Sequence, residues 1–325
     1  MRTHPVTNQK VKPIVPSQNR FFSGIWKTLV THRNLYIMLL PCVVSFAIFS
    51  YLPMAGLVMA FKEFKFNEGM FGGPWVGLRY FKLFFSYPES TQIIVNTFIV
   101  GFLKIIVYFP FPILLALMLN EVRSKRFKAV TQTISYLPYF LSWVVVVAFT
   151  NKILAPDDGI LNQLVKAFGG DGSTFYLMEG KYFYLIMFLT HLWKNIGWGS
   201  IIYLAAIAGI DPTQYEAAEM DGASRWKKIW HITLPGIRPA IGTLFILEIG
   251  SLLTTGYEQN YLLRTAGNSA YSDILDTYVL RVGMMQGQYG YGAAVGLLQG
   301  VVGLLLVVVT NQLVRKYSKN EASLW

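Results

Sequence analysis

Long apolar stretches alternate with short polar connections along most of the chain. A helix that spans a membrane needs about 20 mostly apolar residues, and several stretches of this sequence meet that requirement. They predict spans at Leu35–Phe61, Ile93–Leu119, Val130–Asn151, Tyr182–Ala208, Ile237–Gly256 and Ala293–Val314. The pattern therefore predicts an all-α integral membrane protein with six transmembrane helices.

Composition supports this class of protein. Of the 325 residues, 54% are apolar and 14% are charged, whereas about 25% of the residues of a soluble domain are charged. The first apolar stretch is longer than the core of a signal peptide, which has about 7–15 residues, so we expect an uncleaved first span. Basic cytoplasmic loops explain the net charge of +11, and we expect no nucleic-acid partner.

Lysine and arginine residues concentrate in alternate connections. They are dense in the N-terminal tail, after the second and fourth spans, and in the C-terminal tail, and they are sparser in the other loops. By the positive-inside rule, both termini are therefore predicted to be cytoplasmic. We expect a cytoplasmic tail at 1–34, a six-span domain at 35–315 and a second cytoplasmic tail at 316–325.

The cytoplasmic connection at 209–236 predicts two short helices rather than a slack loop. Asp211 can cap the first helix and Pro212 suits its first turn. Gly222 is a natural end for that helix, and Ser224 can cap a second one. A helix lying on lipid is the alternative, but the acidic side chains here disfavour contact with anionic headgroups. We therefore expect this loop to dock on another protein.

The same loop carries a motif of seven residues with fixed spacing: Glu216, Ala217, Ala218, Gly222, Ile232, Leu234 and Pro235. It resembles the EAA loop of the membrane subunits (permeases) of ATP-binding-cassette (ABC) importers. In that family the loop forms a coupling helix that sits in a cleft on an ATPase subunit. The resemblance implies that these residues transmit force from two partner ATPases, which bind ATP and Mg²⁺. It also implies a second homologous permease, and a chain that is not an enzyme and binds no cofactor.

Further motifs narrow the resemblance to the polysaccharide-permease branch of the maltose-type family. They lie at 75–80, 96–97, 137–143, 159–162 and 193–199. The resemblance implies the importer-permease (MetI-like) fold in a bacterial cytoplasmic membrane. It also implies an extracytoplasmic substrate-binding protein as partner and an oligo- or polysaccharide cargo, here an acidic one such as alginate.

Charged residues within a membrane span are rare and usually functional. Lys104, Lys194 and Glu248 each lie near the middle of a predicted span. His191 and Asn195 are placed three residues before and one residue after Lys194, a spacing that puts all three on one helix face. This pattern favours a substrate pathway in which these side chains meet hydroxyl or carboxylate groups. The alternative is an internal ion pair between Glu248 and either lysine.

Polar residues near the predicted outer surface are further candidates. Asn96, in the motif at 96–97, is expected on the substrate pathway, and Tyr257 and Glu258, near the predicted outer end of the fifth span, can meet substrate at the outer mouth. The segment with Asp157, Asp158, Gly159 and Asn162 is expected to receive the substrate-binding protein. The external segment at 268–292 is expected to receive the same protein, with a plain connecting loop as its alternative, and a solvated loop is the alternative for Tyr257 and Glu258.

The sequence contains no pattern for nucleotide or metal chemistry. The glycine-rich stretch at 169–174 lacks the lysine of a phosphate-binding loop. The histidines are scattered, so we expect no metal site. An ion-coupled secondary transporter acting without an ATPase is the alternative function, with Lys194 and Glu248 as a charge relay. Such folds usually have paired inverted halves, and the sequence has no such repeat.

Overall fold

The computed structural model describes residues 31–254 and 256–317. Most of the predicted N-terminal tail, most of the predicted C-terminal tail, and Thr255 near the predicted end of the fifth span lie outside these residues. Within them, extended backbone pairing is limited to isolated bridges between Lys62 and Trp75 and between Lys65 and Gly69. The described part of the chain is otherwise built from helices and turns, which confirms the all-helical fold.

The α-helices of the described residues range in length from 3 to 29 residues. They are α1 (Arg33–Phe46), α2 (Leu52–Met54), α3 (Arg79–Ser86), α4 (Pro88–Phe102), α5 (Pro110–Glu121), α6 (Lys125–Tyr136), α7 (Trp143–Ile153), α8 (Ile160–Ala167) and α9 (Phe183–Ala208). They continue with α10 (Pro212–Met220), α11 (Arg225–Lys228), α12 (Leu234–Gly236), α13 (Arg238–Gly250), α14 (Tyr257–Leu263), α15 (Ser269–Ser272), α16 (Leu275–Tyr278) and α17 (Tyr289–Tyr317). π-helical turns are inserted at Ala47–Tyr51, Leu103–Val107, Ile229–Thr233 and Val279–Met285, and 3-10 turns at Ala55–Phe61, Phe66–Glu68, Leu137–Phe140 and Gly180–Tyr182.

Three continuous helices in the described residues are long and apolar enough to cross a membrane. They are Arg33–Phe61, Pro88–Glu121 and Tyr289–Lys316, in agreement with the first, second and sixth predicted spans. Three further pairs of helices meet the same requirement only when each bent pair is taken as one span, which gives up to six.

The third predicted span is not one straight helix. The segment Lys125–Phe140 meets Trp143–Ile153 at 102°. Ser142 lies in the break with extended backbone, and its hydroxyl accepts a hydrogen bond of 3.4 Å from the backbone N–H of Val145, which caps α7. The sequence pattern missed this break because the residues on both sides of it are apolar.

The fifth predicted span is shorter than expected. Its helix α13 begins at Arg238 after a bend of 59° and ends at Gly250 rather than at Gly256. Gly256 instead has φ +81° and precedes α14. The apolar stretch continues past Gly250, so hydropathy alone does not mark the end of the helix.

The chain divides into a unit ending at Gly56 and a unit beginning at Leu57. In the first unit, α1 has no buried residue. In the second, α5 and α9 pack side by side around a cluster of Ile113, Ala116, Tyr203, Ile207 and Ile237. A second cluster lies where the N-terminal end of α9 meets the loops that follow α8 and α14.

Close helix approach fixes the position of α9, which carries several candidate site residues. A Cβ atom at Gly197 would lie 2.0 Å from the carbonyl oxygen of Ser135 in α6. Small residues allow such contact between membrane helices, where packing replaces the hydrophobic effect as the source of association. Glycine at 197 therefore lets α9 lie directly against α6.

Candidate coupling loop and translocation cavity

The first helix of the predicted coupling loop, α10, begins as the sequence indicates. The Asp211 carboxylate accepts a hydrogen bond of 2.9 Å from the backbone N–H of Thr213. Hydrogen bonds from the backbone and the side chain of Thr213 hold the pKa of the Asp211 carboxyl below its ordinary value. A negative charge at this end is also favoured by the helix dipole.

The end of α10 is a glycine turn. Gly222 has φ +70°, a left-handed conformation that glycine adopts without a steric cost. Its N–H donates to the carbonyl of Glu219 at 3.0 Å, and the N–H of Ala223 donates to the carbonyl of Ala218 at 2.9 Å. This is the Schellman arrangement that ends a helix sharply, so the chain turns directly into α11.

Side-chain contacts brace the loop. The ammonium of Lys228 lies 2.6 Å from a carboxylate oxygen of Glu219, and Lys228 holds the pKa of the Glu219 carboxyl below its ordinary value. The Tyr215 hydroxyl lies 2.9 Å from Thr233 Oγ1 and so joins α10 to the segment that leads into the next span. These contacts make the loop one structured unit.

The motif residues lie on and around the surface of this unit. Glu216, Ala217 and Pro235 are exposed, and Ala218, Ile232 and Leu234 are partly buried. A cleft of about 390 Å³ opens on the loop, and its lining includes Ala218 and Ile232. The remaining lining residues are Ala223, Lys227, Lys228 and His231.

Four of the predicted pathway residues meet in one cavity of about 290 Å³: Lys104, His191, Asn195 and Glu248. Lys104 belongs to the π-helical turn Leu103–Val107, a distortion often found at functional sites. His191 and Asn195 are on α9, and the amide of Asn195 donates to the carbonyl of His191 at 2.9 Å. The cavity thus combines cationic, anionic and neutral hydrogen-bonding groups.

Aromatic residues form much of the remaining wall, and the sequence reasoning missed them. Tyr108, Tyr139 and Trp198 line the cavity. The rings of Tyr139 and Trp198 are stacked with their centroids 4.4 Å apart and their planes 3° apart. The helical period offered a signal, because Tyr108 follows Lys104 by one turn and Trp198 follows Asn195 by nearly one turn.

A second pocket, of about 280 Å³, adjoins the first and shares Lys104, His191 and Asn195 with it. Its other lining residues are Trp143, Gly256, Tyr257, Glu258 and Gln259. The two predicted outer-mouth residues Tyr257 and Glu258 are therefore placed next to the cavity. The shared residues form the wall between the two spaces.

Lys194 does not line either space, although its neighbours on α9 do. It is 7% exposed, and its ammonium donates to the carbonyl oxygens of Tyr139, at 2.7 Å, and of Leu141. Its observed partners are therefore backbone carbonyls at the break between α6 and α7. The shared helix face that the sequence predicts for His191, Lys194 and Asn195 is split between two environments.

Asn96 lies away from the cavity and is fully buried. Its amide donates to the carbonyls of Ala270 and Asp273, at 2.8 and 2.9 Å. Its side-chain oxygen accepts from Gln92 at 2.8 Å and from the Tyr184 hydroxyl at 2.9 Å. This residue ties α4 and α9 to the loop that carries α15.

The predicted docking segment contains both internal and surface residues. Asn162 is fully buried, and its amide donates to the carbonyls of Ala155 and Thr174, both at 2.8 Å. Gly159 is also buried, whereas Asp157 and Asp158 are exposed. The loop is thus folded on itself around Asn162 and offers its aspartates outward.

The geometry defines a helical membrane protein with a polar and aromatic cavity and a braced loop at one end. Residues 108–319 match the family described as "Binding-protein-dependent transport system inner membrane component", and the chain belongs to this family. It is a non-catalytic membrane permease of an ABC importer. Membership of this family does not favour the alternative function, a transporter that works without an ATPase. Among the described residues, no group of His, Cys, Asp or Glu could hold a metal ion.

Relatives and solved structures agree with this class. The chain is 44% identical over 291 residues to the polygalacturonan/rhamnogalacturonan transport system permease protein YteP of Bacillus subtilis (strain 168), covering 90% of each chain. It also resembles a subunit of a bacterial ABC transporter involved in the import of the acidic polysaccharide alginate, at 38% identity and a TM-score of 0.83. That match covers 90% of this chain and 98% of the other. A structure of a bacterial alginate ABC transporter bound to a periplasmic protein carrying an alginate pentasaccharide matches with a TM-score of 0.83 at 37% identity.

Proposed function

We propose that this chain is a permease subunit of a binding-protein-dependent importer of acidic oligo- or polysaccharides. The observation that carries the proposal is the convergence of Lys104, His191 and Asn195 with stacked aromatic rings on one cavity. The similar proteins named above are described as transporting polygalacturonan, rhamnogalacturonan or alginate. Cation and ring faces suit the carboxylate and the apolar faces of such sugars.

Each group has a distinct role in this proposal. The Lys104 ammonium attracts a uronate carboxylate, because a charge-assisted hydrogen bond is stronger than a neutral one. Trp198 offers a flat apolar ring face to the sugar, Tyr139, which stacks on the other face of Trp198, offers its ring edge and hydroxyl, and His191 and Asn195 bind hydroxyl groups. Glu248, in the same cavity, faces the neutral hydroxyls and sets a limit on how many carboxylates the space accepts.

The cavity is too small to hold a long saccharide alone. Its volume of about 290 Å³ lies at the lower limit of the range of about 300–1,000 Å³ for small-molecule sites. We therefore propose that a second, homologous permease supplies the other half of the pathway. The chain spans the bacterial cytoplasmic membrane several times, with both termini in the cytoplasm.

Transport follows alternating access in this proposal. Two partner ATPases bind ATP and Mg²⁺, and their closure pushes on the loop that carries Glu216, Ala217 and Ala218. The braces at Glu219–Lys228 and Tyr215–Thr233 let the loop transmit that force without bending. On the outer side, a loaded substrate-binding protein docks at the exposed Asp157 and Asp158.

The test is uptake by the complex purified with its own partner subunits and reconstituted in vesicles. Acidic oligosaccharides from polygalacturonan and alginate should stimulate ATP hydrolysis and accumulate inside. Lys104→Gln should raise KM for these substrates roughly 10-fold or more, since hydrogen bonds to charged groups contribute about 1.5–3 kcal/mol. Lys152→Gln, at an exposed lysine near the end of α7, is the matched control.

Two results would contradict the proposal. One is saccharide uptake by this chain without any ATPase. The other is a purified complex with binding protein and ATPases that responds to no acidic saccharide while it transports a neutral solute.

A further inference from the structure

Lys194 bridges the break between the segment Lys125–Phe140 and α7. Its ammonium donates to the carbonyls of Tyr139 and Leu141, which flank the end of the 3-10 turn Leu137–Phe140. The same ammonium lies over two ring faces, 5.4 Å from the Tyr139 centroid and 5.5 Å from the Trp143 centroid. One buried cation of α9 thus contacts both sides of the break.

The break requires such a partner. Carbonyl groups at the end of a helix have no donor within the helix, and a lipid environment offers no water to satisfy them. A cation near a helix C-terminus is also favoured by the helix dipole. Ser142 caps the start of α7 through Val145, so Lys194 and Ser142 together satisfy backbone groups at both ends of the 102° bend.

The fastened residues reach the two candidate spaces. The Tyr139 ring stacks on Trp198, and both line the main cavity. The Trp143 ring stacks near His191, with centroids 6.4 Å apart and planes 14° apart, and both line the second pocket. Lys194 lies behind these rings and lines neither space.

We propose that Lys194 is a positioning residue that holds the break in place and thereby aims Tyr139 and Trp143 at the passing saccharide. Substrate touches the rings and does not touch the ammonium. This inference rests on the proposed function, because it assumes that saccharide moves through the cavity that Tyr139 lines.

Positioning and direct contact differ in what they do to substrate preference. A cation that touches a uronate carboxylate matters for acidic saccharides only. A residue that only positions the aromatic side chains matters for every saccharide, because acidic and neutral sugars have the same apolar ring faces. Lys104, which lines the cavity, supplies the comparison.

The first experiment measures KM and kcat for uptake of uronate oligosaccharides and of their neutral methyl esters by Lys194→Met, Lys194→Gln and Lys194→Arg complexes. Lys194→Met should raise KM for both substrates by the same factor. Lys194→Arg should restore most of the loss, because arginine can also donate to both carbonyls. Lys104→Gln should affect the acidic substrate selectively. A loss confined to the acidic substrate in Lys194→Met or Lys194→Gln, or unchanged KM in both, would overturn the proposal.

The second experiment needs no transport and so separates this inference from the proposed function. Backbone hydrogen exchange of residues 139–146 is compared in the assembled complexes. Exchange should be faster in Lys194→Gln than in the unsubstituted and Lys194→Arg complexes, while Lys152→Gln leaves it unchanged. Equal protection in Lys194→Gln would overturn the fastening role, whichever substrate the complex carries. If Lys194→Met does not assemble, the Gln and Arg variants decide both experiments.

Discussion

Lys228 and Glu219 join the two helices of the predicted coupling loop, with 2.6 Å between Nζ and Oε1. The lysine side chain is 17% exposed and the glutamate side chain 66% exposed. The pair therefore lies at the surface where the proposed ATPase would approach. The Tyr215–Thr233 hydrogen bond is a second contact that holds the same loop together.

The Glu219–Lys228 pair predicts a defined pH dependence. The pKa of Glu219 is lowered by Lys228, so the pair contributes its full stabilisation above the ordinary glutamate pKa of about 4.3. That contribution is lost as pH falls through the lower pKa of the folded state. In ¹³C NMR of glutamate-labelled protein, with the signal assigned by Glu219→Gln, the carboxyl should titrate below about 4.3. Lys228→Met should raise the titration midpoint of the Glu219 carboxyl. A midpoint that is the same with and without this substitution would contradict the ion pair.

The left-handed backbone at Gly222 predicts that substitutions there destabilise the loop through backbone strain and not through clashes of the new side chain. The structure leaves open space around the position, with no atom within 4 Å of an added Cβ. Gly222→Val should still destabilise the loop by roughly 1–2 kcal/mol, the usual cost of a left-handed conformation for a residue with a Cβ. ATP hydrolysis per transported saccharide should rise. Gly222→Asn, a residue that tolerates this conformation, should stay close to normal, and equal effects of the two would refute the backbone explanation.

The stacked pair in the cavity predicts the contribution of Trp198. An aromatic contact contributes about 0.5–1.5 kcal/mol beyond burial, so Trp198→Leu should raise KM roughly 2- to 10-fold for all transported saccharides. Trp198→Tyr keeps a ring face and should recover part of the loss. Trp193 is on the same helix but lines an apolar groove, so Trp193→Leu is the control. The idea fails when the Trp193 and Trp198 variants transport equally well.

The loop that carries Asp157, Asp158 and Asn162 predicts two different defects. Replacing the exposed Asp157 and Asp158 by lysine should lower stimulation of ATP hydrolysis by the binding protein several-fold without changing the stability of the permease. Asn162→Ala should act through folding, because the loss of buried hydrogen-bond partners costs about 1–3 kcal/mol per group. Binding-protein titrations and thermal unfolding of the same variants would distinguish the two. Full stimulation in the double aspartate variant would exclude docking at these residues.

The sequence predicts the two short helices at 209–236 well because their signals are local. Asp211 caps the start of α10, Gly222 ends that helix, and Ser224 caps the start of α11. Each acts through contacts within a few residues. Hydropathy likewise locates the long spans, because about 20 apolar residues identify a membrane helix wherever it packs. The break at Leu141 and Ser142 escapes it, since apolar residues stand on both sides.

The site is harder to predict because the position of a residue along a span does not say which way its side chain points. The middle of a span places Lys104, Lys194 and Glu248 at similar depth, yet Lys194 turns to the carbonyls of Tyr139 and Leu141 while the other two line the cavity. That choice depends on the break between α6 and α7, whose carbonyls lie 55 and 53 residues away from Lys194 in the sequence. Asn96 escapes for the same reason, because its partners at Ala270 and Asp273 lie far along the chain.

The π-helical turn at Leu103–Val107 has a consequence for the way the second span can vary. There the N–H of Tyr108 donates to the carbonyl of Leu103 at 3.0 Å, one residue farther back than in an α-helix. Each residue added to or removed from a helix rotates the rest of that helix by about 100°, since about 3.6 residues complete a turn. A π-helical turn takes up one extra residue within a single turn, so the helix beyond it still directs Phe109 toward Tyr203 and Phe245, with which its ring makes edge contacts. One residue could therefore be lost from this stretch without rotating the rest of the span, whereas the same loss from the regular α-helix before it would turn Phe109 away from both rings.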